Sequence, residues 1–175
     1  MRSSFFGTFD FGDGLGPVPA HRHINPPPTM PGVKLLRGDP LGGWVADTAQ
    51  VHSRAFIAST ACVGGQAKVS SGCVVRGTAR VFGRAVVSCH STVSGNASVS
   101  GRAVVTGKSH VNGNAVVTGY AKITGRSHVF GDSYVAGDVQ VYSIASVNNQ
   151  RFFGREHVTG ACPDGKPHAS EVSRA

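Results

Sequence analysis

The sequence predicts an all-β solenoid in which short strands and bends alternate at a fixed period. Valine or isoleucine occupies every sixth residue from Val45 to Val147 without a gap. Two residues before each of these aliphatic residues there is usually a small residue, most often alanine, and two residues after it there is usually glycine. The repeating unit is therefore Ala-x-Val-x-Gly-x, and eighteen units in register are typical of a repeat architecture.

Each part of the unit predicts a local structure. The alternation Ala-x-Val is that of a short strand with one inward face. The glycine that follows marks a sharp bend, because a positive φ costs glycine little. Strands of this length are too short for an ordinary sheet, so strand and bend together predict a polygonal solenoid.

A second period of eighteen residues predicts the shape of the polygon. It is visible in three hexads that begin similarly: His90-Ser-Thr-Val-Ser-Gly, Lys108-Ser-His-Val-Asn-Gly and Arg126-Ser-His-Val-Phe-Gly. Three hexads per turn make a triangular prism. Eighteen hexads then make about six rungs, stacked at the strand spacing of ~4.8 Å.

The composition divides the chain into three parts. Residues 1–43 are rich in proline, glycine and phenylalanine, which predicts an extended arm without a helix or a core of its own. Residues 44–150 are the predicted solenoid, and residues 151–175 are a predicted cap and short C-terminal tail. Trp44 is expected to close the first rung and Phe152-Phe153 the last, because open solenoid ends would pair with other strands.

The repeat of residues 44–150 resembles the hexapeptide-repeat superfamily, whose fold is the left-handed parallel β-helix. The resemblance implies a homotrimer that is an acyltransferase, a γ-class carbonic anhydrase or a protein without catalytic activity. In the enzymes glycine often follows the aliphatic residue directly, whereas here it comes one residue later. The Val-x-Gly-x-Ala-x variety, with the opening Gly42-Gly43-Trp44-Val45-Ala46, resembles repeat proteins encoded in bacteriophage and bacterial genomes.

The net charge of +8 is concentrated in the repeat, since residues 44–150 hold nine lysine or arginine residues and three aspartates. Two edges of the predicted prism carry the basic residues, which are Arg54, His90, Lys108 and Arg126 on one edge and Arg84 and Arg102 on the other. An acidic partner would relieve the repulsion between stacked like charges. The other interpretation is that the charged side chains extend into water and keep the protein soluble.

Two classes of partner are disfavoured by the sequence. No stretch has the length and apolar character of a membrane helix, so a membrane is not an expected partner. Nucleic acid is disfavoured because the basic residues are not interleaved with aromatic residues. Val86 and Val104 should stack on one face as a small, flat, semi-apolar strip, which we expect to be a contact between subunits.

Histidines supply the candidate chemical groups. His110 and His128 should lie outward, one rung apart, and are the candidate general bases of an acyltransferase with a site between subunits. No orienting carboxylate follows from their spacing, so two surface histidines are the alternative. The close histidine pair expected in a carbonic anhydrase is not seen, which disfavours a zinc site.

His21 and His23 are a separate motif in the N-terminal part. In an extended segment both imidazoles point to one side, and a three-fold axis would bring six of them together, enough for an octahedral transition metal. The alternative is that these histidines face solvent or make packing contacts. No metal and no cofactor is expected.

The favoured function is that of a non-enzymatic structural protein, on the strength of the resemblance and of flat prism faces that predict no pocket. The resemblance to phage proteins implies a trimeric virion component, made in the bacterial cytoplasm. A capsid decoration or cement protein fits best, with a large protein shell as its partner. The predicted contact residues are the aromatic residues of the arm, Phe5, Phe6, Phe9 and Phe11. The alternative is a hexapeptide-repeat acyltransferase that uses His110 or His128.

Overall fold

The computed structural model describes residues 6–12, 14, 16–26 and 40–159, together with the backbone of residues 172–174. These residues form β-strands joined by turns and bends, and this part of the chain contains no helix. The strands stack in parallel sheets as a solenoid of about six turns. The predicted all-β solenoid is therefore confirmed.

Most strands are two residues long, as the hexad predicts. In chain order they are β1 Phe6–Asp10, β2 Pro17–Ile24, β3 Leu41–Ala46, β4 Gln50–Val51, β5 Phe56–Ile57, β6 Cys62–Val63, β7 Lys68–Val69, β8 Val74–Val75, β9 Arg80–Val81, β10 Val86–Val87, β11 Thr92–Val93, β12 Ser98–Val99, β13 Val104–Val105, β14 His110–Val111, β15 Val116–Val117, β16 Lys122–Ile123, β17 His128–Phe130, β18 Tyr134–Val135, β19 Gln140–Val141, β20 Ser146–Asn148, β21 Arg151–Phe152, β22 Glu156–Val158 and β23 Val172–Arg174.

Three sheets run along the three sides of the column, because each strand pairs with the strands three before and three after it. Sheet 1 has the order β1-β2-β3-β6-β9-β12-β15-β18-β21, sheet 2 the order β4-β7-β10-β13-β16-β19-β22-β23, and sheet 3 the order β5-β8-β11-β14-β17-β20. Val99, for example, pairs in parallel with Val81 on one side and Val117 on the other. One coil is thus eighteen residues, which confirms the three-hexad turn.

The interior of the column is filled by the aliphatic and small residues of the repeat. The side chains of Val87, Val93 and Val99 are fully buried, as are the alanines two residues before most members of the series. Serine replaces alanine at a few inward positions. The Ser91 and Ser109 hydroxyls each donate to the carbonyl three residues earlier, so these buried polar groups are satisfied.

Glycine is favoured at the corners for two separate reasons. Gly113 has a φ of 70°, a conformation that other residues adopt at a cost. A Cβ atom built on Gly113 would also lie 2.8 Å from both the amide nitrogen and the carbonyl oxygen of Gly131 in the next coil. The corners of successive coils therefore stack backbone against backbone.

One corner also carries a ladder of polar side chains. The Asn96 Nδ2 group donates to Asn114 Oδ1 at 3.0 Å, and Asn114 Nδ2 donates to Asp132 Oδ1 at 2.8 Å. Thr78 lies below Asn96 and its hydroxyl bonds to Asn96 Oδ1. Adjacent coils are thus linked by side-chain as well as backbone hydrogen bonds.

The N-terminal residues predicted to form an extended arm are, where described, two extended strands that fold back onto the column. Strand β1 pairs antiparallel with β2, and β2 pairs antiparallel with β3. This N-terminal hairpin extends sheet 1 below the first coil. The prediction that Trp44 closes the first rung is wrong: position 44 falls on the outer side of β3, where the indole stacks on Phe9 with ring centroids 5.3 Å apart.

At the other end the stacking continues past residue 150. Phe152 pairs with Val135 and Val158 with Val141, so the separation is seventeen residues instead of eighteen in this last coil. Phe152 takes the inward position and is buried, whereas Phe153 is exposed. The backbone of β23 then pairs antiparallel with β22 and covers the end of sheet 2.

Candidate functional site

The lower end of the column is sealed by two side chains of the N-terminal segment. Asn25 Oδ1 accepts a hydrogen bond from the Ile57 amide at 2.9 Å, and Asn25 Nδ2 donates to the Ile57 carbonyl at 3.0 Å. His23 Nε2 lies 2.9 Å from the Ala55 carbonyl, so this nitrogen carries the proton and donates it. Because β5 is the first strand of sheet 3, these contacts occupy an edge that would otherwise be open.

Both sealing residues are deeply buried, with His23 6% and Asn25 7% exposed. Burial lowers the pKa of His23, since the imidazolium would lose its hydration, and the neighbouring His21 lowers it further. The hydrogen bond to Ala55 acts in the opposite direction. The neutral form of His23 is therefore the form that fits this site.

His21 and His23 each have a partner within the chain. His21 Nδ1 lies 2.8 Å from Asp47 Oδ1, a hydrogen-bonded pair that joins β2 to the turn after β3. His23 is bonded to Ala55 as described. Among the described residues, no three His, Cys, Asp or Glu side chains come together as a metal site would require. Within one chain, His21 and His23 therefore make packing contacts.

Two of the four predicted contact phenylalanines are used inside the chain. Phe9 and Phe11 meet edge to face at 4.9 Å, and Phe11 is buried beside Ala20 and Cys62. Phe6, in contrast, is 74% exposed. Phe5 lies outside the described residues. The hairpin is thus fixed to the column by Phe9 and Phe11 and presents Phe6 outward.

His110 and His128 are brought together by sheet 3. They pair in register on β14 and β17, and their rings stack with centroids 4.9 Å apart. Burial lowers the pKa of His110, and the charges of His128 and Arg76 lower it further. Among the described residues, neither histidine is paired with a carboxylate that could orient it as a base.

Val86 and Val104 pair in register on sheet 2, as the eighteen-residue period predicts. Both side chains are half-buried, and their neighbours along the same row are Lys68 and Lys122. A shallow, open depression of about 430 Å³ lies at the lower part of this side, lined by Thr48, Gln50, Gln66, Lys68, Arg84 and Val86. The apolar strip is therefore short and bounded by positive charge.

Two features of the structure were not predicted from the sequence. The contact between Asn25 and Ile57 has no local signal, because the two residues are 32 positions apart. The concentration of Arg76, His110 and His128 on one side follows from the eighteen-residue coil and could have been read from it. The described part of the chain holds no helix of the length and apolarity needed to cross a membrane.

Comparisons with protein-family models, with curated proteins and with solved structures give no match to this chain.

Proposed function

We propose that this protein is a non-enzymatic structural component of a larger assembly, attached through the end of the column that carries the N-terminal hairpin. The support is the difference between the hairpin and the coils above it. The coils from β3 to β20 repeat the same arrangement of short strands. They bury the aliphatic residues of the six-residue series inside the column. The hairpin adds the exposed apolar side chains of Phe6 and Ile24 at one end of this body, and Ile144 and Phe153 are exposed toward the other end.

The observation that carries the proposal is the exposure of two apolar side chains on β1 and β2. Phe6 is 74% exposed and Ile24 is 66% exposed, although β2 pairs with β3 of the column and β1 pairs with β2. An aromatic side chain held on a rigid element loses little conformational freedom when a partner covers it. Phe6 and Ile24 are therefore the proposed contact residues, in place of Phe9 and Phe11, which already have partners.

The proposed assembly is a virion, and the proposed unit is a homotrimer. Three columns side by side would cover the Val86 and Val104 strip and would present three hairpins to one surface. Three linked contacts raise the overall affinity far above that of one contact, provided that all three reach the surface together. A capsid decoration or cement protein is the class that best fits a rigid column fixed at one end.

The alternative proposal is acyl transfer at His110 or His128, from the resemblance of the repeat. Its support is the half-burial of His110, since burial and neighbouring charge keep the imidazole neutral and able to act as a base. Calorimetry with acetyl-CoA distinguishes the two proposals. Binding heat that His110→Gln removes would favour the transferase, and no heat at millimolar ligand would favour the structural protein.

The experiment on the structural proposal compares two exposed phenylalanines at opposite ends. Phe6 lies on the hairpin, and Phe153, which is 55% exposed, follows the last strand of sheet 1. Particles from a host producing the native chain, Phe6→Ser or Phe153→Ser would be sedimented and the bound chain measured. We expect the native chain and Phe153→Ser to sediment with the particles and Phe6→Ser to stay in the supernatant. A native chain that stays in the supernatant would overturn the proposal.

A further inference from the structure

The middle of the column carries positive charge and has no acidic residue in the same stretch of sequence. Residues 48–131 contain nine lysine or arginine residues and no aspartate or glutamate. The ion pair found among the described residues is that of His21 with Asp47, at the start of the column. No lysine or arginine of this window pairs with a carboxylate of the described residues. These cations repel one another and are held in fixed positions by the coil.

The corner between sheets 2 and 3 carries part of this charge. Lys108 and Arg126 occupy the same corner of successive coils, and the Lys108 amide donates to the carbonyl of Gly125 at 2.7 Å. The stacked rings of His110 and His128 lie two residues further on, at the first residues of β14 and β17 in sheet 3. We call the following six residues the basic edge: Arg76, His90, Lys108, His110, Arg126 and His128. His90, Lys108 and Arg126 form a row at the corner, His110 and His128 belong to the next row, and Arg76 follows β8 on the far side of that row.

The geometry of the basic edge favours an extended ligand. Successive coils place equivalent cations ~4.8 Å apart along the column axis, which is the spacing of strands in a sheet. Like charges at adjacent positions of a sheet destabilise it, so a row of anions laid along the edge would relieve this repulsion. A single small anion would meet only one or two of the cations, because the edge is a row and not a cavity.

The uncharged groups beside the basic edge favour sugar over nucleic acid. Thr92 and Asn112 lie next to it in sheet 3 with half-exposed side chains that can hydrogen-bond to hydroxyl groups. Phe56 and Phe130, the described phenyl rings on or beside the strands of sheet 3, are both half-buried. Single-stranded nucleic acid would need several rings for successive bases to stack.

We propose that the basic edge binds a linear acidic polysaccharide, a sugar chain that bears carboxylate or sulfate groups, laid along the column axis. This binding site is separate from the hairpin end and does not depend on the proposed attachment. Lysine and arginine attract the acidic groups, and the hydroxyl and amide side chains contact the sugar.

The test measures binding of the full chain to polygalacturonate as the carboxylated probe and to dextran sulfate as the sulfated probe. Neutral dextran and single-stranded DNA serve as comparisons. Lys108→Gln with Arg126→Gln removes two charges from the edge. The matched control, Arg84→Gln with Arg102→Gln, removes two charges of the same spacing from another corner of the column.

We expect an acidic polysaccharide to bind at about 0.15 M salt and neutral dextran not to bind. The edge variant should lose about tenfold in affinity or more, and the control variant less than about twofold. Equal losses in the two charge variants, tighter binding of DNA, or no binding of either acidic polysaccharide would overturn the proposal.

Discussion

The side-chain amide of Asn25 forms hydrogen bonds with both the backbone N–H and the backbone C=O of Ile57. This is the pattern with which a neighbouring strand would bind Ile57, so one side chain substitutes for a strand at the lower edge of sheet 3. His23 contributes a third hydrogen bond, to Ala55. Open sheet edges promote pairing with other chains, and this contact prevents it at one edge.

Asn25→Ala should destabilise the column from its lower end. Two hydrogen bonds are lost and the Ile57 backbone is left without those partners, at a cost of about 2 kcal/mol or more in the free energy of unfolding. Urea unfolding measures this cost. Asn112→Ala, which truncates an amide on the side of the column, is the control and should cost less than about 0.5 kcal/mol. Similar values for the two variants would contradict the sealing role.

His23 should make stability depend on pH. Because burial lowers the pKa of His23 below its usual value of 6.5, the unfolded chain binds a proton at a higher pH than the folded chain does. The free energy of unfolding should therefore be constant above about pH 6.5 as far as His23 is concerned, and should decrease as the pH falls below it. The pKa of His110 is also lowered, so the measurement belongs in a His110→Gln background.

The control for this pH dependence is His23→Gln, which keeps a hydrogen-bond donor but does not titrate near neutral pH. Unfolding by urea would be measured at about pH 5.5, 6.5 and 7.5. The decrease in the free energy of unfolding from the two higher pH values to the lowest one should be smaller in His23→Gln than in the parent chain. A fall of the same size in both chains would show that His23 is not its source.

Substitutions at two corner positions should change the stability of the column in opposite directions. Gly113→Ala places a methyl group 2.8 Å from the backbone of Gly131 at a positive φ, and we expect a loss of about 2 kcal/mol or more. Ser143 occupies an equivalent corner position with a φ of 68°, so Ser143→Gly should stabilise the column by about 0.5–1 kcal/mol. Thermal melts of both variants test this, and a stabilising Gly113→Ala would contradict the corner geometry.

The polar ladder should contribute to stability cooperatively. Asn114 accepts from Asn96 and donates to Asp132, so Asn114→Ala breaks two links in an exposed row. We expect a loss of about 1 kcal/mol, because water replaces part of what is lost. A double-mutant cycle of Asn96→Ala and Asn114→Ala should give a coupling energy of about 0.5 kcal/mol or more. A coupling energy of zero would mean that the ladder is not formed in solution.

The repeat could be predicted from sequence because its determinants are local. A hexad specifies its own strand, bend and inward face, and the eighteen-residue period specifies which hexads stack. Val86 beside Val104 and His110 beside His128 follow from this period alone. The six-residue series ends at Val147, because the next inward residue, Phe152, comes five residues later instead of six. A search for one fixed period does not detect such a deletion.

The N-terminal hairpin could not be predicted in the same way because its contacts are distant in sequence. Phe9 stacks on Trp44, and Asn25 binds Ile57 across 32 positions. The proline- and glycine-rich composition predicts only that the segment forms no helix and no core of its own. Position 44 could have been assigned to the outer side of its strand from the alternation with Val45, and this would have excluded Trp44 as an internal plug.

The attachment end, the sealed edge and the basic edge all depend on a coil of eighteen residues that rises by one strand spacing. Spin labels on cysteines at the exposed corner positions Arg54 and Lys108, and at Arg54 and Arg126, test this rise directly. The native cysteines would be replaced by alanine, and labelled chain would be diluted in unlabelled chain. The second pair should be ~5 Å further apart than the first, the rise of one coil. A difference of ~15 Å or more would indicate a more extended path and contradict the eighteen-residue coil.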